Sequence, residues 1–146
     1  MSNWRWILTN KFACLFFGVL GVFLLSHLNS AMAAELMSPG PNKAPLIYAL
    51  KLPQYCQGQY FGRKEPQYQL PRELCGVGTN HFCEGLIRLY KARATTDRAK
   101  KAEHYRSAKR PVEYTKRWIA DHPRCPLHPT VNQVLNEIDL KLKMYK

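Results

Sequence analysis

Residues 12–28 form an almost continuous apolar stretch, which constrains this chain more than any other feature. A short head carrying Arg5 and Lys11, and no acidic residue, precedes it. A positive head, an apolar core and an Ala-x-Ala site are typical of a secretory signal peptide. Ala31 and Ala33 supply that site directly after the core, so the sequence predicts a leader that is cleaved after Ala33.

The alternative is an uncleaved membrane anchor. The apolar stretch lies at the lower edge of the roughly 17–25 residues that a membrane-spanning helix needs, and the adjacent Ala-x-Ala site favours cleavage. No second apolar segment of that length follows, so we expect a mature protein without a membrane span, located in the periplasm or secreted. Cys14 is expected to leave with the leader.

Cleavage would leave 113 residues, enough for one small domain. The leader holds two of the 22 basic residues and none of the 10 acidic ones, so the mature chain would have a net charge of +10. This charge favours acidic partners such as anionic polymers or an acidic protein face. An ordinary solvated surface explains it equally well.

Four cysteines remain after the predicted leader, namely Cys56, Cys75, Cys83 and Cys125. An even number in an exported chain favours two disulfides over free thiols. Three pairings are possible, and the spacing alone does not choose among them. We prefer Cys56–Cys83 with Cys75–Cys125, because this pairing ties an irregular N-terminal segment onto a helical core. A small domain gains most from such cross-links.

Residues 34–79 are expected to form an irregular arm, because prolines interrupt every possible helix. These prolines are Pro39, Pro41, Pro45, Pro53, Pro66 and Pro71. The arm is also rich in aromatic residues, namely Tyr48, Tyr55, Tyr60, Phe61 and Tyr68. We expect these rings to complete the core of a small domain. The alternative is a stacking surface for bases or sugars, assisted by Arg63, Lys64 and Arg72.

Residues 80–146 have helical periodicity. Asn80 is predicted to cap a first helix whose inner stripe comprises Phe82, Leu86, Leu89, Tyr90 and Arg93. A second helix follows the break at Thr95-Thr96, with Asp97 in its first turn. Its apolar stripe comprises Ala99, Ala102, Tyr105, Ala108, Val112 and Ile119.

Pro111 is expected to kink the second helix or to divide it into 97–109 and 111–121. Pro129 suits the first turn of a third helix, whose inner stripe comprises Val131, Leu135, Ile138, Leu142 and Tyr145. The sequence therefore predicts an all-α fold: an antiparallel hairpin or bundle of three to four helices with a Pro-rich, disulfide-tied N-terminal arm.

The stretch 78–89, with Ala92-Arg93-Ala94 after it, resembles a group of exported proteobacterial proteins with tetratricopeptide-like helical hairpins. Those proteins carry an upstream Tyr-Cys pair, here Tyr55-Cys56, and a later Pro-flanked turn, here 122–129. The resemblance covers roughly residues 53–140 and implies a helical scaffold that presents a groove to a protein partner. Asp97 stands where the repeat would have alanine, so we expect one hairpin and not an array of repeats.

The sequence offers little support for metal binding or catalysis. His81, Cys83, Cys125 and His128 do not have the paired spacing of structural zinc sites. Cys83 could act as a nucleophile with His81 as its base, but side chains two residues apart on a helix point away from each other. No glycine-rich phosphate loop and no close pair of carboxylates is recognisable. We therefore expect no catalytic residues, no metal and no cofactor.

The strongest remaining feature is a basic cluster on the predicted helices. The candidate binding residues are Arg88, Lys91, Arg98, Lys101, Arg106, Lys109, Lys116 and Arg117, and Arg93, Lys100 and Arg110 lie among them. Tyr105, Tyr114 and Trp118 are interspersed. The sequence favours a non-enzymatic scaffold or adaptor that docks onto a cell-envelope protein through its helical hairpin and basic face. The alternative is a secreted basic module that binds an anionic polymer, either polysaccharide or nucleic acid.

Overall fold

The computed structural model describes residues 36–145, so the predicted leader and its cleavage site lie outside the described residues. The described residues contain six α-helices and three short 3₁₀-helices but no β-strand, which confirms the all-α fold class. The α-helices are α1 (Leu46–Ala49), α2 (Gln57–Phe61), α3 (Arg72–Cys75), α4 (Asn80–Ala94), α5 (Arg98–Ile119) and α6 (His128–Met144). Within this part of the chain, no helix is long and apolar enough to cross a membrane.

The described part of the arm consists of short helical turns. Pro45, Pro53 and Pro71 occupy N-cap positions, and Pro66 lies in the first turn of a 3₁₀-helix. The expectation that proline interrupts every helix is therefore wrong for single turns. Proline is compatible with a helix start, because its missing N–H would have no intrahelical partner there.

Arm side chains pack into the same core as the long helices. Tyr60 is 4% exposed and Leu52 is buried, and both belong to a cluster that includes Phe82 and Leu89 of α4. Tyr55 and Phe61 are partly buried against this cluster, while Tyr48 and Tyr68 are half-buried. The packing interpretation is thus confirmed for Tyr60, Tyr55 and Phe61, whereas Tyr48 and Tyr68 are not among the residues that pack against this cluster.

Two disulfides connect the arm to the helices. Cys56 is bonded to Cys83 on α4, with their Cα atoms 5.7 Å apart. Cys75 is bonded to Cys125 in the loop between α5 and α6, with a Cα separation of 4.7 Å. The preferred pairing is confirmed, and both bonds reduce the conformational freedom of the unfolded chain.

Helices α4 and α5 approach each other closely at a glycine. His81 lies against Tyr114 and Gly85 faces Val112, so contacts run in opposite order along the two helices. A Cβ atom on Gly85 would collide with the Val112 side chain. The absence of a side chain at residue 85 therefore sets how near the two axes can lie.

Helix α5 continues through Pro111 as one helix, so its division into two is wrong. Proline cannot donate a hydrogen bond to the carbonyl four residues earlier, which belongs to Ser107. Arg88 of α4 donates to that oxygen instead, with an Nη1–O distance of 3.4 Å. A neighbouring helix thus supplies the donor that Pro111 lacks.

Two helix starts differ by one residue from the sequence prediction. Thr79, not Asn80, is the N-cap of α4, because a 3₁₀-helix over Val77–Thr79 leads directly into it. Asp97 is the N-cap of α5 and lies just before its first turn, where its Oδ1 accepts a hydrogen bond from the Lys100 backbone N–H at 2.8 Å.

The stripe assigned to each long helix is largely confirmed. On α6, Pro129 lies in the first turn, Val131, Leu135 and Ile138 are buried, and Leu142 and Tyr145 pack partly buried against the core. On α5, every predicted stripe residue is buried except Ala99, which is exposed.

Candidate functional site

Three arginines lie along the outward side of α5. Arg106, Arg110 and Arg117 are exposed, and spacings of four and seven residues place them on one side of an α-helix. In residues 36–145, none of the three takes part in an ion pair. We call them the outward arginines, and their charge is available to a ligand.

Lys109 forms ion pairs within the protein. Its Nζ lies 2.7 Å from Asp139 Oδ1 and 3.6 Å from Glu113 Oε1. The hydrogen bond to Asp139 raises the pKa of Lys109. This lysine joins α5 to α6 and contributes little free charge.

Arg88 and Arg98 are also engaged by the protein itself. Arg88 is paired with Glu84 one turn earlier on α4. Arg98 donates to the Met144 carbonyl at 3.1 Å, and its guanidinium carbon lies 5.9 Å from the centre of the Tyr145 ring. Both residues therefore connect structural elements.

Arg93 has a structural role as well. Its Nε and Nη2 atoms donate to the two carboxylate oxygens of Glu137 at 2.9 and 2.5 Å, which joins α4 to α6. This hydrogen bonding raises the pKa of Arg93. Arg93 was expected on the inner stripe, but it is exposed.

The remaining predicted residues lie elsewhere on the surface. Lys91 and Lys116 are exposed and Lys101 is half-buried. At 3.6 residues per turn, Lys116 is displaced from the outward arginines by about a quarter of a turn, as are Arg98 and Lys109. The eight candidate binding residues thus do not form one continuous face.

Aromatic side chains border the outward arginines. Tyr114 and Trp118 are 39% and 38% exposed, and their rings stack with centroids 6.3 Å apart and planes 19° apart. His81 meets Tyr114 edge-on at 4.5 Å, and the guanidinium carbon of Arg117 lies 6.0 Å from the centre of the Tyr114 ring. The result is an exposed row of flat rings beside cationic groups.

The ring of Trp118 packs against a turn at Gly76 that requires a glycine. Gly76 has φ +75°, a conformation that side-chain-bearing residues rarely adopt. A Cβ on Gly76 would touch Trp118 and would lie 2.7 Å from His122 Nε2. The Cys75–Cys125 disulfide lies directly before this turn in the chain and therefore anchors it.

Two surface clefts meet at Tyr114 and Arg117. One, of about 430 Å³, is lined by His81, Glu84, Arg88, Arg110, Pro111, Tyr114 and Arg117. The other, of about 320 Å³, is lined by Tyr114, Arg117, Trp118, Asp121 and His122. We refer to the part formed by His81, Arg110, Tyr114, Arg117 and Trp118 as the aromatic–arginine cleft.

Sequence reasoning identified only part of this cleft. The basic cluster of the sequence included Arg117 and Arg110, with Tyr114 and Trp118 interspersed, but His81 was considered only as a metal ligand or as a base for Cys83. A Tyr114–Trp118 spacing of four residues on the polar side of α5 was the available signal. The approach of Gly76 and His122 depends on tertiary contacts, so no local pattern indicated it.

The arm contains a smaller aromatic–cation contact. The guanidinium carbon of Arg63 lies 4.5 Å from the centre of the Tyr68 ring, and Lys64 is exposed beside it. Arg72 is exposed on α3.

The cysteine chemistry of the site is limited by the disulfides. Cys83 is bonded to Cys56, so its sulfur is not a free thiolate in this structure. Across residues 36–145, no group of three or more His, Cys, Asp or Glu side chains is arranged to hold a metal ion. What the aromatic–arginine cleft can do with the groups present is bind negatively charged and flat or apolar moieties.

Comparison of the chain with protein-family models, curated proteins and solved structures finds no match.

Proposed function

We propose that the mature chain is an exported, non-enzymatic scaffold or adaptor that docks onto an acidic surface of a cell-envelope protein. The observation that carries this proposal is the pairing of exposed outward arginines with exposed Tyr114 and Trp118. Arginine, tyrosine and tryptophan are the residue types most enriched where protein interfaces gain their binding energy.

The disulfides and the predicted leader support export. The buried disulfides Cys56–Cys83 and Cys75–Cys125 suit a protein that matures in an oxidising compartment. The leader predicted over residues 1–33 would deliver the chain there, to the periplasm or beyond the cell. Mass spectrometry of the protein from the envelope fraction should find Ala34 as its first residue. An intact Met1 terminus in that fraction would favour a retained anchor.

The helical hairpin is the second element of the proposal. Helix α5, which packs against α4, presents the outward arginines on a scaffold that disulfides and ion pairs hold together. In this proposal the helices offer a surface to a protein as a tetratricopeptide-like hairpin would, and the family resemblance stays a prediction.

Affinity capture with a matched pair of variants tests the docking. The full chain, tagged at its C-terminus, would be produced in cells, cross-linked and recovered from the envelope fraction after low-salt and high-salt washes. The test variant is R110Q/R117Q. The control is K141Q/K143Q, which removes the same charge from α6.

One protein retained at high salt by the wild type and the control, but lost from R110Q/R117Q, is the expected result. Equal capture by all three forms would contradict docking through this face. Retention depends on apolar contact as well as charge, so moderate salt sensitivity is expected.

A second candidate is a basic module for an anionic polymer. Arg117 beside Tyr114 and Arg63 over Tyr68 are the contacts that favour it, because rings next to arginines can stack on bases or sugars. Capture of polymer alone, released by salt, would support this candidate, since binding through phosphates or sulfates weakens steeply with salt.

A further inference from the structure

We infer that the aromatic–arginine cleft recognises an extended acidic segment of a protein, in which an apolar residue lies between two carboxylates three residues apart. This inference rests on the proposed docking function and specifies its ligand. The occupant is argued from charge complementarity and from the spacing of residues along α5.

The spacing follows from helix geometry. Arg110 and Arg117 are seven residues apart, which corresponds to about 10 Å along an α-helix. Tyr114 lies between them, about one turn from each. In a peptide segment with polyproline II backbone conformation, which has three residues per turn and rises about 3.1 Å per residue, side chains three residues apart point to the same side and are separated by about 9 Å. Carboxylates at such positions can therefore reach both arginines.

The aromatic rings determine what lies between the carboxylates. Tyr114 is held by His81 on one edge and by stacking against Trp118, and Arg117 covers part of its face. These contacts restrict the ring before a ligand arrives, which lowers the entropy cost of binding. The exposed part of Tyr114 can bury an aliphatic or aromatic side chain of the ligand.

The charge around the cleft limits where the carboxylates can lie. Glu84 is neutralised by Arg88 and has His81 Nδ1 at 3.6 Å. Asp121 lies in the neighbouring cleft with Trp118 and His122, beyond Arg117. The uncompensated positive charge of the outward arginines therefore extends from Arg106 to Arg117, and two of these arginines, Arg110 and Arg117, line the cleft. A uniformly charged chain that continued past Arg117 would meet Asp121, so the geometry favours a short acidic segment over a polymer.

Isothermal titration calorimetry with a designed peptide tests this inference. The protein would be purified from the envelope fraction of cells that produce the full chain. The probe is the blocked peptide Gly-Glu-Gly-Phe-Glu-Gly. Comparison peptides replace both Glu by Gln, replace Phe by Ser, or place the two Glu next to each other. Trp118 is the only tryptophan after the predicted cleavage site, so its fluorescence gives a second readout of cleft occupancy.

We expect the Gln peptide to bind at least about tenfold more weakly than the probe. The other two comparison peptides should bind several-fold more weakly than the probe. R110Q and R117Q should each reduce the affinity for the probe about tenfold, while K141Q/K143Q should leave this affinity unchanged. Y114S, a change at an exposed site, should remove the difference between the Phe and Ser peptides.

Three results would overturn the inference: no binding of the probe, equal binding of the Gln peptide, or R110Q and R117Q proteins that bind like the wild type. Tighter binding of a soluble anionic polysaccharide, with affinity rising with its length, would overturn it in favour of a polymer ligand. If the peptide did not bind while envelope capture still depended on Arg110 and Arg117, only the proposed ligand would be refuted, and the docking function would stand.

Discussion

The arm and helix α5 are both rich in aromatic residues, yet the most buried ring of the arm and the outward rings of α5 lie in opposite environments. Tyr60 of the arm is 4% exposed and belongs to the core, whereas Tyr114 and Trp118 of α5 are 39% and 38% exposed. The arm lacks long helices and depends on its rings and disulfides to join the core. Helix α5 already buries its inner stripe, so its outward rings are free to contact a ligand. The exposed rings of α5, and not the buried ring of Tyr60, are therefore the candidates for contact with a ligand.

The largest expected effect comes from removing the disulfide that lies between the two regions. C75A/C125A should lose about 4 kcal/mol of stability, because the bridge closes a sequence separation of 50 residues. It should also change Trp118 fluorescence in the folded state, since the bridge anchors the turn beneath that ring. Urea titration followed by circular dichroism and fluorescence measures both quantities.

C56A/C83A is the matched control. Its separation of 27 residues predicts a similar loss of about 3.5 kcal/mol. The folded-state fluorescence of Trp118 should remain that of the wild type, because neither Cys56 nor Cys83 is adjacent in the chain to Gly76, whereas Cys75 is. An equal fluorescence change in both variants would show that the cleft depends on the whole arm. It would contradict a specific role of the Cys75–Cys125 disulfide at Trp118.

Truncating one ring from each region tests the contrast directly. Y60A should destabilise the protein by about 3 kcal/mol, because it leaves a cavity in the core. Y114A should cost less than about 1 kcal/mol, because the ring is partly in water. Thermal and urea unfolding give both values, and a Y114A loss as large as that of Y60A would mean that the α5 rings are structural.

Alkaline pH should reveal the buried arm tyrosines. Burial raises the pKa of Tyr60 and of Tyr55 to about 12. Above about pH 10 the unfolded chain releases phenol protons that the folded chain retains, so stability falls as pH rises. The contribution is fully present below about pH 10 and is lost as pH rises through about 12.

Y60F isolates the Tyr60 share of this loss. Between pH 9 and pH 12 it should lose less stability than the wild type, by an amount on the order of 1–2 kcal/mol. Y114F controls for the removal of one phenol at an exposed position. If Y60F and the wild type lost stability in parallel with pH, Tyr60 would not be the buried group that this structure places in the core.

Local sequence pattern predicted the features that depend on neighbours in the chain. Helical periodicity located the three long helices, and the chemistry of small exported domains led to the observed disulfide pairing. The exceptions are informative. Pro111 was expected to kink α5 or to divide it, and the division is wrong, because α5 continues through Pro111. Arg88, on another helix, donates to the Ser107 carbonyl, which lacks its usual donor because residue 111 is proline.

The candidate site was harder to predict for the same reason. Counting basic residues gave Lys109 and Arg117 equal weight, although of the two only Lys109 forms ion pairs with carboxylates in the described structure. Those carboxylates include Asp139, which is 30 positions along the chain and on another helix. Whether a cation is free or engaged depends on the packing of α5 against α6, and the sequence pattern of α5 alone does not contain that information.

The smallest expected effect comes from two adjacent residues that illustrate this difference. K109M should cost about 0.5 kcal/mol, because its ion pairs with Asp139 and Glu113 are partly exposed to water. It should leave binding of the acidic peptide unchanged. R110M should keep its stability within about 0.5 kcal/mol of the wild type but bind the peptide about tenfold more weakly. Unfolding curves and calorimetry measure the stability and the peptide affinity of both variants.

If K109M also reduced the affinity for the peptide, the charge of α5 would act as one diffuse field and the outward arginines would have no special role. Only opposite effects at residues 109 and 110 would show that neighbouring cations on one helix have been divided between stabilising the fold and binding a partner.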